Sequence, residues 1–274
     1  MNGNLAEQDF IRLMTFIRDN YGVNLEKKKT LVEGRLRNVI AQAGYADFHD
    51  YIEAALGEPS GELLNTIITR LTTNYTYFMR EETHYQFMQQ QMLPEWTARI
   101  RDRDLRTWSA GCATGEEAYT AAMVIQEYLG GEAGRWDATI LGTDISTRVL
   151  DEAREGVYTA AALERLPPPW RSKYFVDEGG DRFRVSKRLG EQVAFARQNL
   201  MEASYSARFK RKFHLIFCRN VMIYYNAETK AAVAGRFFDV LEPGGYLFIG
   251  LSETLSGLNS RFEQVAPSIY RRGL

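Results

Sequence analysis

Three short stretches of the chain set glycine or polar residues directly after apolar runs, where a ligand would be met. In Trp108-Ser109-Ala110-Gly111-Cys112-Ala113-Thr114-Gly115-Glu116-Glu117, small residues follow a predicted strand and open a predicted helix, so a ligand can approach the backbone closely and meet free N–H groups. A phosphate would suit that helix start. Glu116 and Glu117 stand where it would lie, however, and the glycines do not make G-x-G-x-x-G, so a dinucleotide site is not indicated. In Gly142-Thr143-Asp144-Ile145-Ser146 an acid ends the next strand. A carboxylate there accepts hydrogen bonds from both hydroxyls of a ribose in nucleoside-binding α/β folds, and it is equally a common helix N-cap. Paired with the glycine loop, Asp144 favours an adenosine-type ligand without phosphates. The third stretch, Phe217-Cys218-Arg219-Asn220-Val221-Met222-Ile223-Tyr224-Tyr225, sets Arg219 and Asn220 at the carboxyl end of an apolar strand, where open α/β sheets bind ligands. Met222 and Ile223 read as core.

The elements that must position these residues follow from periodicity. Phe10, Leu13, Met14 and Ile17 recur at helical spacing, Leu31, Leu36, Val39 and Ile40 do so less strictly, and Tyr51 to Leu56 and Leu63 to Leu71 continue the pattern around a Gly57-Glu58-Pro59-Ser60-Gly61 turn. This predicts a small all-helical domain over residues 1–75. From about Leu105, strand-like runs (Leu105 to Ala110, Ala138 to Thr143) alternate with helical ones (Glu116 to Leu129, Thr147 to Glu155). Phe213 to Cys218, a helical Ala227 to Leu241, the turn Glu242-Pro243-Gly244-Gly245 and the strand Tyr246 to Leu251 complete an α/β domain over 76–274 with a parallel sheet. Between them, Phe183 to Val185 and Val193 to Ala196 are expected to form a small antiparallel insertion at about 170–196.

Composition narrows the function classes. The 274 residues carry 34 Lys plus Arg against 35 Asp plus Glu, a formal net charge of −1, which weighs against a nucleic-acid partner. The apolar Tyr246 to Leu251 is far short of the ~20 residues of a membrane span. Met1 to Asp9 shows no basic start leading into an apolar run, so a cytoplasmic protein without membrane insertion is expected. Cys112 and Cys218, with His49, His84 and His214, have neither disulfide nor metal-ligand spacing, and no metal is expected.

Taken in order, Thr72-Thr73-Asn74-Tyr75-Thr76-Tyr77-Phe78-Met79-Arg80-Glu81, Trp108 to Glu117, Thr143-Asp144-Ile145-Ser146, Phe217 to Tyr224 and Gly250-Leu251-Ser252-Glu253 resemble the chemotaxis receptor methyltransferases, the CheR family. The resemblance runs from about Phe10 to Tyr270. It implies a Rossmann-like α/β domain that binds S-adenosylmethionine, joined to a small amino-terminal helical domain. The implied activity is transfer of the methyl group to glutamate carboxylates in chemoreceptor cytoplasmic helices, leaving a glutamyl methyl ester and S-adenosylhomocysteine. A glutamate with a pKa of about 4.3 is already ionised at neutral pH, so the reaction asks for positioning more than for a base. The alternatives are a methyltransferase of the same fold acting on another acceptor, and a non-catalytic adapter that senses S-adenosylmethionine.

By the same resemblance, Asn74, Thr76 and Arg80 reach the cofactor from the domain junction, Arg80 pairing with the methionine carboxylate. Gly111 lies against the cofactor, Glu117 accepts from its ammonium, Asp144 holds the ribose, Asn199 and Leu200 contact adenine, and Arg219 and Asn220 line the same site. Tyr224 is the expected residue beside the reacting methyl, orienting the acceptor and excluding water. Lys27, Lys28, Lys29, Arg35 and Arg37 gather positive charge in one helical region, where an acidic receptor would dock. Lys28 and Arg35 are the expected contacts, and charge reversal there should raise KM for the receptor and leave cofactor binding alone. The partner is thus a chemoreceptor cytoplasmic domain, met by a monomer.

Overall fold

The computed structural model describes residues 3–59, 61–72 and 74–274. Met1, Asn2, Ser60 of the turn cluster and Thr73 of the Thr72 to Glu81 segment lie outside them. Four helices come first: α1 (Glu7–Tyr21), α2 (Lys29–Gln42), α3 (Phe48–Gly57) and α4 (Glu62–Leu71). Their apolar stripes close on one another, with Phe10, Leu13, Met14 and Ile17 of α1 buried against Val32, Leu36 and Ile40 of α2 and Tyr51 and Ile52 of α3. Leu31, read as part of the α2 stripe, is 39% exposed; Val32 takes the inward position. Helices α5 (Glu82–Phe87) and α6 (Leu93–Arg99), joined by a π-helical turn, lead into the sheet.

The strands are β1 (Thr107–Ala110), β2 (Ile140–Asp144), β3 (Val157–Tyr158), β4 (Phe175–Gly179), β5 (Arg182–Val185), β6 (Val193–Arg197), β7 (Phe213–Cys218), β8 (Leu241–Ile249), β9 (Phe262–Ala266) and β10 (Ile269–Arg272). The main sheet has the order β6-β2-β1-β7-β8-β10-β9. Its first five strands run parallel, β10 is antiparallel to β8, and β9 is antiparallel to β10. β1 and β7 are buried at every position, as expected of parallel strands covered on both faces. Helix α7 (Glu116–Leu129) covers one face and α12 (Ala227–Val240) the other. The order reverses direction between β1 and β7, which puts the ligand crevice of an open α/β sheet above their carboxyl ends.

Two expectations change. Val193 to Ala196 does not pair with Phe183 to Val185: β6 is the edge strand of the main sheet, parallel to β2. The small antiparallel sheet is instead β3-β5-β4, so the insertion draws its third strand from before residue 170. The Glu242 to Gly245 turn lies inside β8 as a register shift against β7 rather than ahead of the strand. No helix among the described residues is long and apolar enough to cross a membrane.

Candidate active site

Above the carboxyl ends of β1, β2, β6 and β7 lies a cavity of about 950 Å³, open mouth included. Asn74, Thr76, Arg80, Gly111, Glu117, Asp144, Asn199, Leu200, Arg219, Asn220 and Tyr224 all line it. Residues from five separate stretches of the chain thus meet around one space. Lys28 and Arg35 are not on its wall.

The glycine loop is tied down rather than open. The N–H groups of Gly111 and Cys112 both donate to the Thr143 carbonyl, at 2.7 and 2.9 Å, and that of Ala113 donates to Asp144 Oδ2 at 3.0 Å. These three N–H groups are therefore spent on β2, while the start of α7 has no side-chain cap. Gly111 is required on two counts: its φ of +92° is left-handed, and a Cβ would come within 2.4 Å of Val221 Cγ2. Glu116 and Glu117 fill the first turn of α7, and two carboxylates there oppose a phosphate.

Asp144 also accepts from the Ser146 N–H at 3.0 Å, so each of its oxygens holds one backbone donor and keeps a further acceptor site. It is not the N-cap of α8 (Thr147–Glu155), which is Ser146; Asp144 instead ties the turn ahead of that helix while lining the cavity. Burial pushes the carboxyls of Asp144 and Glu117 above their ordinary range. Glu117 is fixed by the Ser109 hydroxyl at 2.7 Å and by Arg219 Nη1 at 3.2 Å.

Arg219 lines the cavity but spends most of its donors on the protein. Nε reaches Glu81 Oε2 at 3.2 Å, Nη1 reaches the Tyr85 hydroxyl at 3.1 Å and Glu117, and Nη2 reaches Glu81 and the Arg80 carbonyl. Of the five N–H groups of a guanidinium, four make hydrogen bonds to the protein, and Nη2 also pairs with the Glu81 carboxylate. Below it, His84 Nδ1 is 3.6 Å from Glu81 Oε2. Burial and the neighbouring Arg219 lower the His84 pKa to about 4. Arg80 differs: one donor goes to the Tyr75 carbonyl at 2.7 Å, and its guanidinium makes no other hydrogen bond among the described residues. Arg80 lines the cavity with donors unspent, and a guanidinium fork matches a carboxylate.

The loop after β7 owes its shape to Glu253. This buried carboxylate accepts from the backbone N–H groups of Gly250 at 2.6 Å, Asn220 at 2.8 Å and Ile223 at 2.9 Å. It thereby holds Asn220 in its left-handed conformation, φ +58°, and sets the short helical turn that ends at Tyr224. Met222 is buried as expected, while Ile223 is 47% exposed, because this turn points it outward. Glu81 and Glu253 belong to segments singled out in the sequence, yet nothing in their spacing announced these partners.

The helical domain supplies a wall of its own through Tyr21, Val23, Ile68 and Thr72; Thr72 opens a segment that carried the resemblance, while Tyr21, Val23 and Ile68 carried no site signal in the sequence. Asn199 binds this domain directly, its Nδ2 donating to the Asn20 carbonyl at 2.8 Å and its Oδ1 accepting from the Met201 N–H at 2.9 Å. Its amide is thus first a clamp between domains, not a free adenine-reading group. Gln198 beside it went unrecognised. It is 2% exposed and lines the cavity, and its Oε1, like Asn220 Oδ1, has no hydrogen-bond partner among the described residues. Unpaired buried acceptors on a cavity wall fit a ligand that brings its own N–H or O–H donors.

The basic run divides on inspection. Lys29 pairs with Glu7 at 2.7 Å and Arg37 with Glu33. Arg35 donates to the carbonyls of Arg70 and Leu71 at 3.3 and 3.0 Å, closing the end of α4. Reversing the charge of Arg35 would therefore disturb the segment leading to Asn74, so it is not the clean docking test expected of it. Lys27 and Lys28 are exposed with no ion partner among the described residues. Cys112 and Cys218 are free and buried, and burial raises both thiols well above their ordinary pKa. Among the described residues no group of three or more His, Cys, Asp or Glu is placed to hold a metal ion.

Comparison with known proteins adds independent findings. Residues 74–270 match the family described as CheR methyltransferase, SAM binding domain, and residues 8–72 match CheR methyltransferase, all-alpha domain. A chemotaxis protein methyltransferase of Borreliella burgdorferi is 38% identical over 276 residues, covering 99% of this chain and 96% of that protein. The chemotaxis protein methyltransferase of Escherichia coli is 34% identical over 270 residues, covering 97% and 91%.

Proposed function

This chain belongs to the CheR methyltransferase family, enzymes that use S-adenosylmethionine, and from that premise we propose that it methylates glutamate side-chain carboxylates of chemoreceptor cytoplasmic helices in the cytoplasm. The product is a glutamyl methyl ester, the chemistry of chemotactic adaptation. One observation carries the choice of acceptor: the cavity wall offers Asp144 and Glu117 already engaged by protein donors, and no histidine, lysine or cysteine among its described residues. A wall without a free base suits an acceptor that arrives ionised.

The residues fit the cofactor as a zwitterionic nucleoside. Arg80 holds the carboxylate of its methionine portion, Glu117 accepts from the ammonium, Asp144 takes the ribose hydroxyls on its remaining acceptor sites, and Gln198 to Leu200 border the base. When bound, S-adenosylmethionine supplies an electrophilic methyl group on a sulfonium. Tyr224 orients the incoming carboxylate with its hydroxyl, which makes no hydrogen bond among the described residues, and its ring keeps water from the nucleophile. Attack by an anion on a sulfonium disperses charge, so a strong clamp on the acceptor carboxylate would favour the ground state. Arg219 accordingly acts through its neighbours, fixing Glu117 and the Arg80 backbone. Lys28 docks the acidic receptor surface, acting at a distance from the chemistry.

The test is incubation with methyl-labelled S-adenosylmethionine and a receptor cytoplasmic fragment, followed by alkali. Volatile, alkali-labile label is the expected result. Alkali-stable label would move the acceptor to another group, and tight binding of S-adenosylhomocysteine without any transfer would make the chain an adapter.

A further inference from the structure

Most cations on the segment between β3 and β6 are engaged. Lys173 pairs with Glu127, Arg182 and Arg184 with Glu178, and Lys187 with Glu191, while Arg171 donates to the Leu166 and Glu164 carbonyls. Arg188 and Arg165 have no such partner among the described residues, and of the two Arg165, in the loop between α9 (Ala160–Leu163) and α10 (Pro168–Tyr174), also sits over an aromatic ring. It is exposed, no carboxylate pairs with it among the described residues, and its guanidinium lies 4.3 Å from the centroid of the Tyr77 ring.

That ring ties Arg165 to the cavity. Arg80, on the wall, sits 5.7 Å from the same centroid. Tyr77 in turn is 5.7 Å from Tyr75, an aromatic residue 71% exposed that lines the mouth. A guanidinium resting on a ring has its face satisfied by the π-system and its in-plane N–H fork unspent. Such a fork is already oriented, so it loses less freedom on gripping a carboxylate than a solvated arginine would. A cation meant for the acceptor belongs at the rim, since one placed on the reacting carboxylate would stabilise the ground state.

We propose that Arg165, laid on Tyr77 at the cavity rim, is a specificity-determining contact that takes a second acidic side chain of the acceptor helix. This rests on the reading of the acceptor as a glutamate on a helix, where acidic residues three or four positions away share its face. It separates Arg165 from the docking run at Lys28, which meets the receptor from the helical domain.

The experiment compares wild type, Arg165→Glu and Arg165→Gln in methyl transfer to a receptor cytoplasmic fragment, with S-adenosylhomocysteine affinity measured alongside. Arg165→Glu should raise KM for the fragment roughly fivefold, and Arg165→Gln by less, with kcat and S-adenosylhomocysteine affinity held within about twofold. Replacing one acidic residue a helical turn from the acceptor by Lys should restore the KM of Arg165→Glu and raise that of wild type. An unchanged KM in Arg165→Glu, or a rise that no such charge exchange restores, overturns the inference. Wild-type protein that binds S-adenosylhomocysteine yet esterifies no fragment overturns the acceptor reading, and this inference with it.

Discussion

On the sheet side of the cavity Arg219 makes four hydrogen bonds, to Glu81, Tyr85, Glu117 and the Arg80 carbonyl, whereas on the junction side the Arg80 guanidinium makes one, to Tyr75. The same contrast separates Glu253, which holds three backbone N–H groups, from Tyr224, whose hydroxyl bonds to nothing described. Arg219 and Glu253 are committed before any ligand arrives. Arg80 and Tyr224, with the unpaired Gln198 Oε1 and Asn220 Oδ1, keep hydrogen-bonding capacity for molecules that come and go. Two arginines of one cavity therefore do opposite work, and residue type alone does not tell them apart.

The largest effect should come from Arg219→Met, which leaves Glu81 and Glu117 buried without their cation. Denaturant unfolding should show a loss of about 3–5 kcal/mol, together with loss of S-adenosylhomocysteine binding. A loss below 1 kcal/mol would mean that the sheet wall does not depend on this network. Arg80→Met should do the reverse, weakening S-adenosylhomocysteine by about 10- to 100-fold in calorimetry while leaving the unfolding midpoint in place. If both variants lost stability alike, the contrast between the two arginines would disappear.

A third prediction concerns the cost of the Arg219 network. His84 stays neutral in the folded protein, its pKa lowered to about 4 by burial and by Arg219, but in the unfolded chain it binds a proton near pH 6.5. The unfolded state thus holds more protons in this window. Stability should be full above about pH 6.5 and fall as pH drops towards 4, by up to about 1.4 kcal/mol per pH unit from this residue. Unfolding of His84→Gln across the same range should show a shallower slope, and matching slopes would detach His84 from the effect. The smallest change is expected at Tyr224→Phe, a two- to fivefold lower kcat with unchanged cofactor affinity, roughly 0.4–1 kcal/mol of barrier. Wild-type turnover in both Tyr224→Phe and Tyr224→Ala would remove this residue from the chemistry.

Much of the fold could be read in the sequence because periodicity reports burial. α7 and α8 occupy the stretches predicted for them, and β1, β2 and β7 fall within a few residues of theirs. The insertion was misread because a short alternating run looks alike at the edge of a large sheet and inside a small one. Only long-range pairing puts Val193 to Arg197 beside β2. For the site, the residues carried by family resemblance do converge, yet their partners were hidden. Nothing local in Asn199 foretells a bond to the Asn20 carbonyl, and nothing in Arg35 foretells its hold on the end of α4. Tyr21 and Val23 escaped notice for the same reason, since helical spacing does not say which apolar residue will face a cavity.

The turn after α1 has a consequence for dimensions. Gly22 adopts φ +74°, and a Cβ on it would meet the Tyr225 ring at 2.8 Å and Met201 Sδ at 2.9 Å. On one side of it the Asn20 carbonyl receives Asn199, and on the other the Asn24 N–H donates to the Tyr224 carbonyl at 3.0 Å. Residues 20–24 thus grip the Asn199 and Tyr224 edges of the cavity at once, as the jaws of a calliper grip a rod. The gap between those edges is gauged by a turn that carries no reactive group, and an added residue there would reset the gauge while every lining side chain kept its chemistry.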